Sequence, residues 1–442
     1  MQDDNLSNIS KNFIKHFTKT VQALDKTVKF GKRKSKVGAR IFVETLVSGC
    51  MLNHNISLES LCGLMKERGI KISKQGLDQR FNTEAMMLMQ SFFLETMQRF
   101  KTERSNFFDL LKPFSSVSIL DSSAISLPEN LKDLYKGSGG AASQAALKIQ
   151  VLFEYLSGQV NQITITGGNK NDQSYNEYLD KIEKGTLHLQ DLGYFKLKSL
   201  AEIQGKGAYF ISRYNYPTVI LDEDNNRINL VDELEKSGLT FAKEIYLGRN
   251  REIKVRLVAT RLPDEVVRER ICKIKEKARK SGYQPTKEIL KLAQWSIYVT
   301  NVPENMLSHE QIHLVYSLRW QIELFFKLCK SEAGIDKIRG KKQTRILCEL
   351  YAKLICIIML LYLCFPLRWM ENMEISYRKA YKELSLRAID FFRALKSRYL
   401  LMKFIKSFFN ILKSFAFKDR HRKKRLLTYQ MLLQAAGQEV LV

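Results

Sequence analysis

The middle of the chain contains short runs in which apolar and polar positions alternate, and this period of two predicts β-strands. Five such strands lie between about residues 117 and 214, and helical patterns separate the later ones. The order β-β-β-α-β-α-β predicts a mixed α/β domain. The strands are predicted at VSILDSSAISL, at ALKIQVLFEYLSGQVNQITITGG (two strands that turn at Ser157-Gly158), at TLHLQDLGYF and at AYFISRYN, and the helices at DQSYNEYLDKIEKG and KLKSLAEIQGKG.

The segment from about residue 216 to 300 interrupts this order. Strands are predicted at TFAKEIYLG and EIKVRLVATRL, which a turn at Arg249-Asn250 joins, and at QWSIYVTNV. A charged helix, DEVVRERICKIKEKARKSG, precedes the last of them. From about residue 306 onward the chain is predicted to be mostly helical.

The N-terminal region reads as helical up to about residue 112. Ser57 is expected to cap a helix that stops at Gly69, and Ser73 to cap the next helix. This is the sequence shape of a helix-turn-helix, although any helical hairpin with a polar outer face has the same pattern. The second helix carries side chains suited to base edges and phosphates, namely Lys74, Gln75, Asp78, Gln79 and Arg80.

The run from Ile346 to Phe365 is the candidate for a membrane span. Glu349 and Lys353 interrupt it and leave an apolar stretch from Leu354 to Phe365. A span needs about 20 apolar residues. We therefore predict a buried helix and expect no membrane partner.

Composition and net charge limit the classes of binding partner that the protein is expected to have. The 442-residue chain is 45% hydrophobic, which is ordinary for a globular protein, but its net charge is +26 with a pI near 9.6. That charge predicts a polyanionic partner, for which nucleic acid and an anionic membrane surface are the rivals. Seven cysteines without a C-x2-C pair predict reduced thiols in a cytoplasmic protein. The scattered histidines predict no zinc site. The polar start MQDDNLSNISKNF predicts no signal peptide.

A stripe of four polar residues occupies the segment YSLRWQIELFFKLCK: Tyr316, Arg319, Glu323 and Lys330. At 100° per residue these positions fall within roughly 60° of one another on a helix. A carboxylate flanked by two cations and a phenol suits a metal-binding acid beside a polyanion. A surface helix with a solvated charged edge would show the same pattern.

Two further carboxylates lie on predicted strands. Asp121 is in phase with Val117 and Ile119, where a carboxylate is costly unless it is paired or binds metal, and Asp191 ends a later strand. Either could be structural, since an Asp at a strand end often caps the next element. Together with Glu323 they could hold two Mg²⁺ ions, or Mn²⁺ as a substitute, which would activate the attacking oxygen and stabilise the leaving oxygen in phosphoryl transfer.

The spacing Y-x2-R-x3-E-x6-K resembles the signature of bacterial insertion-sequence transposases of the DDE class, the group typified by insertion sequence four. The resemblance covers about residues 40 to 380. It implies a ribonuclease-H-like core that carries the DDE triad and is interrupted by a mainly β insertion. Three blocks carry it, SILDSSAISLP around Asp121, LQDLGYFKLKSLAEIQGKGAYFISRYN around Asp191 and QWSIYVTNVPENMLSHEQIHLVYSLRWQIELFFKLCKSE around Glu323.

The pattern and the resemblance together predict five regions. They are a helical DNA-binding domain (1–112), the first part of the catalytic core (113–215), the mainly β insertion (216–300), a helical completion of the core (301–380) and a basic helical C-terminal region (381–442). The last region contains the cluster KDRHRKKR at 418–425, which is either a phosphate contact or a solvated charge run.

The resemblance also implies roles for residues beside the triad. Tyr316, Arg319 and Lys330 resemble the residues that hold phosphates near the transposon end, and Arg213 resembles a further phosphate contact. Trp295 resembles the family tryptophan that stacks near a flipped terminal base. A core aromatic of the strand QWSIYV would have the same pattern.

The implied function is cut-and-paste transposition in the bacterial cytoplasm. A homodimer would bind the terminal inverted repeats of double-stranded DNA, and Mg²⁺-dependent nicking would free a 3′-OH at each end. Each 3′-OH would form a hairpin with the opposite strand, hydrolysis would reopen it, and the ends would attack target DNA. A ribonuclease-H-like nuclease without strand transfer and a catalytically inactive, transposase-derived DNA-binding regulator are the alternatives.

Overall fold

The structure is a computed structural model that describes residues 3–31, 36–102, 108–139, 143–368, 374–418 and 428–437. Within these ranges the chain has the predicted mixed α/β fold, in which helices cover a nine-stranded sheet. The seven cysteines all carry free thiols; five are buried, Cys62 is half-buried and Cys272 is exposed.

The N-terminal region is helical, with elements α1 Asp3–Lys15, α2 Val21–Val28, α3 Ala39–Leu52, α4 Leu58–Glu67, α5 Lys74–Arg80 and α6 Thr83–Arg99, and a π-helical turn between α1 and α2. Ser57 Oγ accepts a hydrogen bond from Ser60 N at the start of α4, and Ser73 Oγ accepts one from Gly76 N at the start of α5. Gly69, with φ of 81°, reverses the chain between them. Both predicted caps and the glycine stop are confirmed.

All nine strands belong to one sheet, in the order β3-β2-β1-β4-β5-β9-β8-β7-β6. The predicted turns at 157–158 and 249–250 are confirmed, because each lies between two antiparallel strands. The strands are β1 Ser116–Ser126, β2 Ala146–Glu154, β3 Gln159–Gly167, β4 Thr186–Gln190, β5 Tyr209–Arg213, β6 Ile220–Leu221, β7 Thr240–Leu247, β8 Ile253–Arg261 and β9 Trp295–Thr300.

The relative direction of neighbouring strands changes across the sheet. β1 runs antiparallel to β2 but parallel to β4, and β4 runs parallel to β5. β9 then pairs antiparallel with β5, and β8, β7 and β6 follow beyond β9 in that order. The strands from the interrupting segment therefore extend the same sheet. That segment also contains the helices α8 Leu230–Lys236, α9 Asp264–Lys280 and α10 Lys287–Leu292, and α7 Leu197–Gly205 joins β4 to β5.

The prediction of a helix at DQSYNEYLDKIEKG is wrong. Two short 3-10 turns, Asp172–Ser174 and Glu177–Lys181, occupy this segment instead. Asn171 Oδ1 accepts a hydrogen bond from Gln173 N, which is a local turn that competes with helix formation.

The C-terminal part is helical, as predicted, with α11 His309–Tyr316, α12 Trp320–Ser331, α13 Gln343–Cys364, α14 Tyr377–Leu386, α15 Ala388–Ala394, α16 Arg398–Phe415 and α17 Thr428–Ala435. By length and composition α13 could cross a membrane, but 89% of its apolar window is buried inside the protein. Its charged residues are paired there: Lys353 Nζ donates to two backbone carbonyls at 2.8 Å, and Glu349 accepts from Arg345 at 2.8 Å. The prediction of a buried helix is confirmed.

Two hydrophobic clusters cover the two faces of the sheet. The larger includes Ile119 and Val151 of the sheet together with α12, α13 and the N-terminal helices. The smaller includes Leu120 and Leu152 together with Tyr194 and apolar residues of β7 and β8. Because α13 packs against both α3 and α6, the N-terminal helices and this face of the sheet share one hydrophobic core.

Candidate active site

The first two acids of the predicted triad lie side by side where β4 ends, inside the sheet. In the parallel pairing of β1 with β4, Leu120 lies opposite Gln190, so that Asp121 is the next residue of β1 and Asp191 is the first residue after β4. Asp121 is in phase with Ile119, which is fully buried, as predicted. The register of β1 with β4 therefore brings two acidic residues from distant parts of the chain to the same level of the sheet.

Glu323 belongs to α12, which packs on β1. Arg319 joins it to Asp121: Arg319 Nη2 donates to Glu323 Oε1 at 2.6 Å, and Arg319 Nη1 lies 3.7 Å from Asp121 Oδ2. The side chain of Arg319 is 16% exposed, so these contacts are largely shielded from solvent.

The ionisation of Asp121 reflects this environment. Burial raises the pKa of Asp121 to about 6, and the negative charges of Asp191 and Glu323 act in the same direction. The backbone N–H of Ser122, which donates to Asp121 Oδ1 at 2.8 Å, and the charge of Arg319 oppose the rise in pKa. The negative charges of Asp191 and Glu323 therefore act on Asp121, as expected where several acids are close together.

The polar stripe is not presented by one regular α-helix. A 3-10 turn, Ser317–Arg319, separates α11 from α12. Tyr316 is buried at 4% exposure and donates its hydroxyl hydrogen to Gln190 O at 3.2 Å. Tyr316 therefore does not present its phenol at the protein surface, and its hydroxyl instead ties the helical segment to the residue that precedes Asp191.

The remaining cations of the prediction lie at different distances from the acids. Arg213, exposed at the end of β5, has its guanidinium 5.9 Å from the ring centre of Tyr316. Lys330 is half-buried in the last turn of α12, about 10 Å along the helix from Glu323. Arg213 is therefore close to the acids, whereas Lys330 lies two turns away.

Two tryptophans differ in accessibility. Trp295, proposed from the sequence, is 8% exposed and belongs to the smaller hydrophobic cluster. Trp320 directly follows Arg319 and is 54% exposed. An exposed indole offers a flat surface on which a nucleic-acid base can stack. Sequence reasoning missed Trp320, although its position next to Arg319 in the stripe could have indicated it.

A further cationic group that sequence reasoning missed is Arg270 of α9. It donates to Trp295 O at 3.0 Å and to Ser296 Oγ at 3.2 Å. Burial lowers the pKa of Arg270, and the positive charge of Arg213 lowers it further. Burial also lowers the pKa of His313, with Arg270 and Arg213 adding to the effect. Positive charge thus accumulates on the Tyr316 side of the acids.

The acids have the donor chemistry of a magnesium site, since Mg²⁺ prefers carboxylate oxygens. Among the residues that the structure describes, however, no three His, Cys, Asp or Glu side chains lie close enough together to hold a metal ion. The guanidinium of Arg319 lies between Asp121 and Glu323, so a side-chain cation already balances these two carboxylates.

The polar residues predicted on the N-terminal helix pair divide into two groups. Lys74, Gln75 and Gln79 are exposed on α5, and Lys74 forms a surface ion pair with Glu59 at 3.3 Å. Arg80 points inward. Its guanidinium donates to two backbone carbonyls, those of residues 30 and 37, and stacks 3.9 Å from the ring centre of Phe30.

The basic cluster at 418–425 lies outside the described residues except for Lys418. The ammonium group of Lys418 pairs with the buried Glu374 at 2.5 Å.

Known proteins that are similar to this chain identify its family. The transposase DDE domain family matches residues 112–359. The transposase for insertion sequence element IS231B of Bacillus thuringiensis subsp. berliner is 31% identical over 406 residues, which cover 86% of this chain and 84% of that protein. The transposase for insertion sequence element IS1151 of Clostridium perfringens is 29% identical and covers 92% of this chain and 91% of its own length. The chain therefore belongs to the DDE transposases of bacterial insertion sequences, enzymes that cleave DNA and transfer its strands.

One solved structure is also similar. The cryo-EM structure of the piggyBac transposase synaptic complex with hairpin DNA aligns with 90% of this chain and 84% of that chain, at a TM-score of 0.46 and 10% identity. The family resemblance inferred from the Y-R-E-K spacing is confirmed by the family match and the insertion-sequence relatives. Divalent metal ions are general in this family.

Proposed function

We propose that the protein catalyses cut-and-paste transposition of its own insertion sequence, with Asp121, Asp191 and Glu323 as its catalytic acids. The observation that carries the proposal is the parallel register of β1 and β4, which sets Asp121 beside Asp191, together with the bridge through Arg319 to Glu323. The strand order β3-β2-β1-β4-β5 supports a ribonuclease-H-like core for residues 113–215 and 301–380. The strands of residues 216–300 would then form the insertion.

Asp121, Asp191 and Glu323 would hold two Mg²⁺ ions, or Mn²⁺ in their place. When bound, such ions supply an activated water and stabilise the leaving oxygen. Side chains of the protein would bind the DNA and hold the acids in position. Arg319, once it leaves Glu323, can clamp phosphate oxygens with two parallel hydrogen bonds. Tyr316 anchors the strand end that carries Asp191.

DNA contacts would extend outward from the acids. Arg213 and Lys330 would bind phosphates on either side, and Trp320 would stack on a base at the cut end, a role for which the buried Trp295 is less accessible. Lys74, Gln75 and Gln79 of α5 would read the terminal inverted repeat. Arg80 would support that helix from inside.

Two protomers would pair the two element ends, since both must be cut and joined to one target. Hydrolysis at each end frees a 3′-OH, attack on the opposite strand forms a hairpin, and hydrolysis of the hairpin leaves an end that attacks target DNA. The protein would work in the bacterial cytoplasm on chromosomal DNA.

The test uses purified protein and a labelled duplex that carries the terminal repeat of the element, with Mg²⁺ or with EDTA. Glu323→Gln is compared with Glu265→Gln, a matched change at an exposed position of α9. We expect metal-dependent nicking, then hairpin and joined products, in the wild type and in Glu265→Gln but not in Glu323→Gln. Nicking without joined products would indicate a nuclease, and repeat-specific binding without cleavage would indicate a regulator.

A further inference from the structure

A polar network lies behind Asp121, on the opposite face of the sheet from α12. Ser122 pairs directly with Gln150 across β1 and β2, so both side chains point away from the face that holds Asp121. Leu120, on the same face as Ser122, belongs to the smaller hydrophobic cluster, whereas Ile119 belongs to the larger one. This network is therefore separate from the Arg319 bridge.

Asp172 is the centre of the network. Its Oδ1 accepts hydrogen bonds from Ser122 Oγ at 2.9 Å, from Lys148 Nζ at 3.1 Å and from Gln150 Nε2 at 3.1 Å. Lys148 also donates to Lys170 O at 2.6 Å. One carboxylate thus joins β1, β2 and the segment that follows β3.

The same carboxylate reaches the neighbours of both catalytic aspartates. Ser122, which donates its hydroxyl hydrogen to Asp172, donates its backbone N–H to Asp121 at 2.8 Å. On the other side, a Cβ built on Gly193 would lie 3.6 Å from Asp172 Oδ2. Gly193 is two residues beyond Asp191, in the 3-10 turn that begins at Leu192.

A second path leads to that turn through Gln150. Tyr194, the last residue of the turn, donates its hydroxyl hydrogen to Gln150, which in turn donates to Asp172. Tyr194 is 2% exposed. The turn after Asp191 is therefore held to β2 by hydrogen bonds that are shielded from water, where they are strongest.

The surroundings of Asp172 fit a supporting role better than metal ligation. The side chains of Lys148 and Asp172 are only 14% and 27% exposed, so the charge of the carboxylate is balanced inside the protein. Oδ1 already accepts three hydrogen bonds, including one from an ammonium group. Such an oxygen has little capacity left for a cation.

We propose that Asp172 is a positioning residue that sets the separation of Asp121 and Asp191 by tying the strand of the first to the turn after the second. The inference rests on the proposed function, because it assigns these two aspartates to metal binding. Removing a side chain that orients metal ligands typically weakens metal binding or activity by about 10- to 100-fold.

The experiment compares wild-type protein with Asp172→Asn, Ser122→Ala and Asp180→Asn. Asp180 is an exposed carboxylate in the same segment and serves as the matched control. Binding of Mn²⁺ to the full-length protein on a repeat-end duplex is followed by electron paramagnetic resonance, and the Mg²⁺ concentration for half-maximal nicking is measured separately. Thermal unfolding reports the integrity of each variant.

We expect Asp172→Asn to weaken Mn²⁺ binding about tenfold and to raise the Mg²⁺ requirement for nicking in parallel, with nicking restored at high Mn²⁺. Ser122→Ala should shift both quantities in the same direction by a smaller factor, because it removes one of the three hydrogen bonds to Oδ1. Asp180→Asn should match the wild type.

Unchanged Mn²⁺ affinity and Mg²⁺ requirement in a folded Asp172→Asn would overturn the inference. If Asp172→Asn does not fold, Ser122→Ala decides, and wild-type metal binding in that variant would overturn the inference as well. A wild-type protein that neither binds Mn²⁺ nor nicks the duplex is a different result, because it removes the proposed function itself.

Discussion

Arg319 donates to Glu323 at 2.6 Å while its other terminal nitrogen lies 3.7 Å from Asp121. The guanidinium thus stands between two acids that, on the proposed mechanism, must share a metal. Since a guanidinium and a divalent cation compete for the same carboxylate oxygens, metal entry and release of Arg319 are coupled. The released side chain is then free to bind a phosphate of the DNA.

The substitution Arg319→Gln separates these two roles. We expect it to bind Mn²⁺ at least as tightly as the wild type, because a competitor for the carboxylates is gone. Nicking should fall by about 10²-fold, as for other losses of one charge-stabilising donor. Lys327→Gln, at an exposed position of α12, is the control. Weaker Mn²⁺ binding by Arg319→Gln would contradict the prediction and would mean that Arg319 holds the acids in place.

The raised pKa of Asp121 predicts a pH-dependent gain in stability for Asp121→Asn. The pKa rises from an ordinary 3.8 to about 6 on folding, so the charged carboxylate destabilises the folded state. The penalty is absent below about pH 4, where the group is protonated in both states, and is complete above about pH 6, at about 3 kcal/mol.

Thermal unfolding of metal-free protein checks this prediction. Asp121→Asn should unfold at a higher temperature than the wild type at pH 8, and the difference should vanish near pH 4. Asp180→Asn should show no such dependence. Equal unfolding temperatures for Asp121→Asn and wild type at pH 8 would show that the carboxylate carries no such penalty.

Trp320 and Trp295 should respond in opposite ways to truncation. Trp320→Ala removes an exposed indole, so we expect unchanged thermal stability but weaker binding of the cut end, by about 1–3 kcal/mol for one lost base stack. Trp295→Ala leaves a void in the smaller cluster and should lower the free energy of unfolding by about 3–5 kcal/mol. Trp320→Phe, which keeps a flat ring, should retain most of the binding. The prediction fails if Trp320→Ala binds the cut end as tightly as the wild type.

The two kinds of polar residue on α5 predict a second contrast. Gln79→Ala and Lys74→Ala should weaken binding of the terminal repeat without changing stability, because both side chains are exposed. Arg80→Ala should instead lower the unfolding temperature, since its guanidinium satisfies two backbone carbonyls and stacks on Phe30. Fluorescence anisotropy with a repeat duplex and with an unrelated duplex measures the first effect. Repeat binding that is unchanged in both surface variants would place DNA recognition elsewhere on the chain.

Much of this architecture is local in origin and could be predicted from the sequence. The alternation that places Asp121 in phase with Ile119 is a property of consecutive residues, as are the caps at Ser57 and Ser73. The Y-R-E-K spacing identified the family because it is short and nearly helical.

What could not be predicted depends on contacts between distant residues. The bond from Ser122 to Asp172 spans 50 positions, and nothing in the alternation of either segment indicates it. The exposure of Trp320 and the burial of Trp295 and Tyr316 are likewise decided by what packs against each residue. The helix expected around Asp172 failed because Asn171 forms a local turn that the apolar pattern does not reveal.

The position of α13 has a consequence for the distance along the DNA between the bases that are recognised and the phosphate that is cut. This helix packs against α3 and α6 and also contacts β3 and α12, and Leu77 of α5 and Ile119 of β1 belong to the same hydrophobic cluster. On the proposed roles, the bases read by α5 must therefore lie a set number of base pairs from the phosphate that is cut. Adding about half a helical turn, roughly 5 base pairs, between them would place the cut site on the far side of the duplex.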